Sequence, residues 1–221
     1  AALLAGLAAG HLVAWLKKMP VHKLIRPIMP ILIIPVISAI VIGTMMYYVS
    51  LPIAEIMVGL DAWLRGMQAT SSIVLAILLG AMIAFDMGGP VNKTAFFFGA
   101  SMIEQGNFLV MGSVAAAICT PPLGMGLATL IRRKLWTEEQ QESGIAALGM
   151  GMIGITEGAI TFAAADPLRV IPCIMLGSMT AAVVAMLGKV GDHAPHGGPI
   201  VLPVVDNRII YVIAILAGTI E

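Results

Sequence analysis

The sequence predicts an all-α fold, a polytopic helical membrane protein with broken or re-entrant segments and one interfacial amphipathic helix. Three observations lead there. Of 221 residues, 59% are hydrophobic and only 11% charged, with a mean hydropathy of +1.00, which is more apolar surface than a soluble chain of this length can hide. Several apolar stretches reach the roughly 20 residues that cross about 30 Å of hydrocarbon. Glycine and proline recur inside them, as membrane helices tolerate.

Charge supports the same class. Twelve basic and twelve acidic residues cancel, but Lys17, Lys18, Lys23 and Arg26 form one basic cluster and Arg132, Arg133 and Lys134 another. Both flank apolar runs, so the positive-inside rule puts them on the cytoplasmic side. Neither is interleaved with aromatics, and no nucleic-acid partner is expected. Cys119 and Cys173 lie in apolar stretches and share no ligand-like spacing with the four histidines. They are expected as free buried thiols, with no metal site and no cofactor.

Each element follows in order. Residues 1–16 are apolar and precede cations, the reverse of a secretory signal. With no initiator Met, the chain reads as part of a longer one whose N-terminal spans are missing. Residues 28–49 form a span ending in Tyr47-Tyr48 at headgroup level, with Pro30 and Pro35 bending its first half. Residues 51–65, where Glu55, Asp61 and Arg65 interrupt apolar positions near Trp63, suit a helix lying in the interface. A second span over 71–84 runs into Phe85-Asp-Met-Gly-Gly-Pro-Val-Asn-Lys93, where a regular helix should fail. The stretch from Asp86 to Phe108 either crosses, re-enters or lies along the bilayer.

Residues 108–131 form another span, which Pro121-Pro122 should kink or split. The hydrophilic residues 132–143 read as a cytoplasmic loop, in which Thr137 followed by Glu138, Glu139 and Gln140 marks a short capped helix. A span over 168–190, the break Gly191-Asp-His-Ala-Pro-His-Gly-Gly-Pro199 and a last apolar stretch from 209 complete the chain.

One carboxylate, Glu157, sits among apolar and small residues in 150–165. At bilayer depth an ionised side chain costs about 2.5–3.5 kcal/mol on the gentlest scale, so such a group is kept where it meets a partner. Glycines flank Thr156-Glu157, and Asp166-Pro167 follows soon after. A helix broken there turns amides, carbonyls and a carboxylate towards a cavity, chemistry suited to a polyhydroxylated ligand. The competing reading pairs Glu157 with Arg169 or Lys93 as a strut between helices. His196, in Ala194-Pro-His-Gly-Gly198, is a second candidate, and Asp192 and His193 have weaker claims.

Five motifs, in order and spacing, carry a resemblance over nearly the whole chain: Arg26-Pro-Ile-Met-Pro-Ile-Leu-Ile-Ile-Pro35, Phe85-Asp-Met-Gly-Gly-Pro-Val-Asn-Lys93, Gly154-Ile-Thr-Glu-Gly-Ala-Ile160, Phe162-Ala-Ala-Ala-Asp-Pro-Leu-Arg-Val-Ile-Pro172 and Ala194-Pro-His-Gly-Gly198. The chain resembles enzyme IIC, the membrane permease component of the bacterial phosphoenolpyruvate-dependent phosphotransferase system, in its fructose-specific branch. On that resemblance, residues 1–221 are part of an enzyme IIC membrane domain in the bacterial inner membrane. It would be a homodimer that binds fructose or a fructose-like sugar and presents it to a phosphorylated IIB domain.

The resemblance implies substrate binding by Glu157, less securely by His196, Asp86, Asn92 and Lys93, with Thr156 beside them. It implies no phosphoryl-carrying residue in this chain, since neither cysteine suits that role. Thr161 stands where the family motif usually has Pro, and 189–193 differ from the commoner apolar lead into Ala194, so another ketose, polyol or glycoside fits the scaffold as well. An ion-coupled transporter using Glu157, Asp86 and Asp166, and a structural membrane subunit, are the other readings.

Overall fold

A computed structural model describes residues 2–19, 28–67 and 72–220. Lys23 and Arg26 of the first basic cluster lie outside them. The chain divides into two parts, Ala1–Gly59 and Leu60–Glu221.

The first part opens with helix α1 (Ala2–Lys17). A π-helical turn, Met29–Ile33, then leads into α2 (Ile34–Met67). Pro30 and Pro35 each remove an amide from the ladder, and the wider turn at this helix start accommodates them. Leu16, Met29 and Ile34 form a small buried cluster. The expected separate interfacial helix is absent as such: residues 51–65 continue α2 without a break. Pro52 removes only one hydrogen bond, which a long helix survives. At 1.5 Å per residue, α2 extends about 50 Å. Within it, the stretch Ile34–Pro52 is long and apolar enough to cross a membrane.

The second part is built around α5 (Phe108–Ile131), buried along most of its length. Beside it run α3 (Ser72–Phe85), α4 (Pro90–Glu104), α6 (Glu138–Met152), α7 (Ile160–Ala165), α8 (Pro167–Leu187) and α9 (Arg208–Ile220). Among the described residues, α5 and α8 join Ile34–Pro52 as stretches long and apolar enough to span. The chain is a helical membrane protein.

The double proline does not split α5. Pro121 and Pro122 lack the amides that would bond the carbonyls of Ala117 and Ile118, but other donors take their place. Ser178 Oγ on α8 donates to the Ala117 carbonyl at 3.1 Å, with Thr120 Oγ1 at 3.2 Å. Thr156 Oγ1 donates to the Ile118 carbonyl at 3.0 Å. Hydroxyls on neighbouring elements re-satisfy what proline frees, as membrane interiors require.

Ser178 fixes α8 antiparallel to α5, with Val190 beyond its C-terminus resting its carbonyl on Gly112. The chain returns as α9, where Gly218 lies so close to Gly177 that neither position has room for a side chain. Small residues at crossings permit this approach where lipid supplies no hydrophobic drive.

Two helical hairpins turn back half-way along α5. From the Phe108 end, α3 reaches the middle of α8, where Gly80 meets the Ser178 backbone. It breaks at residues 86–89, and α4 returns to a tight turn closed by the Asn107 amide on the Met102 carbonyl. From the Ile131 end, α6 starts at a full capping box of Thr137 and Gln140 and runs past the hydrophilic stretch to Met152. Its residues Gly144 and Gly151 pack on Thr129 and Leu123 of α5. A 3₁₀ turn, Thr156–Ala159, then leads into α7, whose Phe162 comes back to Trp136 with rings 5.7 Å apart. The stretch after Asp86 therefore turns back towards the Phe108 end of α5.

Cys119 is buried in α5 as expected, but Cys173 is exposed. It lines a groove beside Thr120 of α5 and Gly218 of α9, so only one thiol is buried.

Candidate functional site

The tips of the two hairpins meet. At residues 153–159 the helix fails because Gly154 adopts φ +74°, which an L side chain resists. A Cβ there would also strike the Gly197 carbonyl. This close backbone contact seats the Ala194–Gly198 segment on the broken helix, with the Gly198 amide bonded to the Ala115 carbonyl (3.1 Å) and the Tyr211 hydroxyl to the Gly198 carbonyl (3.0 Å). His196 Nε2 lies 2.7 Å from the Ile153 carbonyl, which the break leaves without a helical partner. A carbonyl only accepts, so Nε2 carries the hydrogen of this bond.

A cavity of about 360 Å³ opens beside this junction, lined by Asn92, Lys93, Phe96, Ile118, Gly154, Ile155, Thr156, Glu157 and His196. Lys93 Nζ stands 3.5 Å from Glu157 Oε1 and 5.9 Å above the Phe96 ring. The expected strut to Lys93 therefore exists, but it borders open space instead of filling it. Arg169 pairs with Asp166 at 3.6 Å and takes no part. Glu157 is less enclosed than expected, its side chain 42% exposed, because it faces the open cavity.

Ile118 sits ten residues into the 24-residue α5, so the cavity lies near mid-depth of a spanning helix. Broken helices meeting there are the arrangement in which transporters hold polar solutes. Carboxylate, ammonium and imidazole give acceptors and donors for hydroxyls, while Phe96 and Ile118 supply an apolar wall.

Five of the six candidate ligands gather here. Asp86 does not line the cavity, and the Thr156 hydroxyl and the Asn92 amide are engaged elsewhere, the latter on the Ile83 carbonyl at 2.6 Å. Sequence reasoning missed Phe96 and Ile118. For Ile118 a signal existed, since Pro122 four residues on leaves its carbonyl open.

At the Phe108 end, the α8–α9 connection carries a second polar group. Asp192 is fully buried; its Oδ1 accepts the Ala194 amide at 2.9 Å, and its Oδ2 has no hydrogen-bond partner. Beside it, His193 pairs with Asp206 at 2.9 Å and packs against Phe108. This group clamps the connection and lies outside the cavity.

No family model matches the chain, and no solved structure matches it. Curated relatives do. It is 50% identical over 220 residues to "Fructose-like permease IIC component 2" of Escherichia coli strain K12, covering 99% of this chain and 61% of the relative. It is 38% identical over 221 residues to the "PTS system fructose-specific EIIC component" of Haloferax volcanii, covering 99% and 59%. It is 43% identical over 194 residues to the "PTS system fructose-specific EIIB'BC component" of E. coli K12, covering 86% and 34%. The chain thus spans about three fifths or less of the length of these relatives.

Proposed function

Since the chain is kin, along nearly all of its length, to the fructose-type enzyme IIC permeases of the phosphotransferase system, we propose that it forms the sugar-binding part of such a permease. The observation that carries the reading is the convergence of Glu157, Lys93, Asn92, Thr156 and His196 on one cavity half-way along a spanning helix. Glu157 accepts from sugar hydroxyls, Lys93 and His196 complete the polar side, and Phe96 covers an apolar face. Fructose or a fructose-like sugar is the substrate, in the bacterial inner membrane, within a homodimer.

A phosphorylated IIB domain or subunit is the partner, supported by the fused B and C components in the names of relatives. No phosphoryl-carrying residue is proposed within this chain. Residues 132–143 face the cytoplasm, where that partner works.

Vesicles containing the complete protein are expected to accumulate sugar phosphate only when the phosphorylated partner is supplied. Glu157→Gln is expected to reduce fructose affinity at least tenfold, the loss of one charge-assisted hydrogen bond, while assembly is retained. Uptake driven by an ion gradient alone, or unchanged affinity in Glu157→Gln, overturns the reading.

A further inference from the structure

The carboxylate of Asp86 faces its own chain. Its Oδ2 accepts the Val91 amide and its Oδ1 the Asn92 amide, both at 2.8 Å, while its carbonyl accepts the Gly89 amide at 3.0 Å. These are first-turn amides of α4, which no helical carbonyl can reach and which water does not readily serve at this depth. One residue on, Lys93 donates its amide to Gly89 at 2.9 Å and sends its ammonium to Glu157. On the other side of the same carboxylate lies the Gly88 backbone, at φ +104°, so close that a Cβ would strike Glu157 Oε1. The 86–93 turn is therefore a bracket around Glu157, and Asp86 holds it shut.

We propose that Asp86 is a positioning residue: by capping α4 it keeps Lys93 against Glu157, and it does not itself touch the sugar. This rests on the cavity being the sugar site. Both Asp86 oxygens already hold a backbone donor, and the side chain stands outside the cavity lining. Removing it orphans two amides and loosens the first turn of α4, which carries Asn92 and Lys93. The effect on sugar thus passes through Lys93, and a variant lacking Lys93 has little further to lose.

The test is a double-mutant cycle on the complete protein in lipid nanodiscs, with D-fructose as the calorimetric probe. Asp86→Ala and Lys93→Met are each expected to weaken binding about tenfold, and the double variant to stay within about threefold of Lys93→Met alone. Asp86→Asn, which keeps one acceptor oxygen, is expected to fall between wild type and Asp86→Ala, and it carries the same cycle if Asp86→Ala does not assemble. Losses that multiply in the double variant overturn the proposal, because Asp86 then acts independently of Lys93.

A sugar-independent arm separates this from the function itself. With Cys119→Ala and Cys173→Ala, a K93C/E157C pair is cross-linked by a short thiol reagent. Asp86→Ala is expected to slow that cross-linking several-fold, whether or not fructose binds. An unchanged rate overturns the positioning role, whereas absent fructose binding with slowed cross-linking overturns only the sugar reading.

Discussion

The hydroxyl of Thr156 has one hydrogen to give, and the Ile118 carbonyl holds it. Its neighbour Glu157 stands on the same 3₁₀ turn, which that bond ties to α5. Thr156→Val removes the donor while keeping the shape, leaving a buried carbonyl bare. Interhelical hydrogen bonds in membranes average about 0.6 kcal/mol and reach about 1.7, so a loss of about 1 kcal/mol is expected in detergent unfolding, together with weaker sugar binding. Thr156→Ser is expected to restore both. A valine variant as stable as wild type would show that the turn is held by other contacts. The sequence suggested Thr156 as a ligand; that its hydroxyl is a tether was not legible, because its partner lies 38 residues away.

At the scale of elements, helix starts and stops were legible where local chemistry decides them. The Thr137 capping box, the Gly-Pro break after Phe85 and the bounds of α5 all follow from residues within a turn. What was not legible depended on distant partners. Pro121-Pro122 reads locally as a break, and only the hydroxyls of Ser178 and Thr156 explain why α5 survives it. The depth of each hairpin depends on packing too. The α8–α9 connection gives a pH test of such packing. Burial pushes the Asp192 carboxyl up from its ordinary 3.8 to about 7, against the lowering influence of the Ala194 amide, His193 and His196. Between those values the folded state binds the proton more tightly than the unfolded one. Stability contributed here is therefore full below about pH 4, declines as pH rises towards 7 and is level above. Thermal unfolding across that range is expected to show the decline, and Asp192→Asn to flatten it.

For the whole molecule, the two hairpins and the antiparallel α8 set which segments share a side. The turn at residues 105–107 and the clamp of Asp192, His193 and Asp206 lie at one end of α5, and Arg132, Arg133 and Lys134 at the other. With the basic end cytoplasmic, a single cysteine replacing Glu104 is expected to react with an impermeant thiol reagent only from outside intact cells. One replacing Lys134 is expected to react only after permeabilisation. Labelling of both from one side would refute this arrangement. The proline pair of α5 also bears on how the chain is made. Ser178 and Thr156 follow the carbonyls they serve by 61 and 38 residues, so the ribosome delivers the acceptors well before the donors. A nascent α5 released early into lipid would carry a bare Ile118 carbonyl, at a cost of several kcal/mol, while Thr120 of the same helix still serves the Ala117 carbonyl. Early insertion is therefore expected to be costlier for this helix than for one whose carbonyls are all served from within, until Thr156 arrives to cap Ile118.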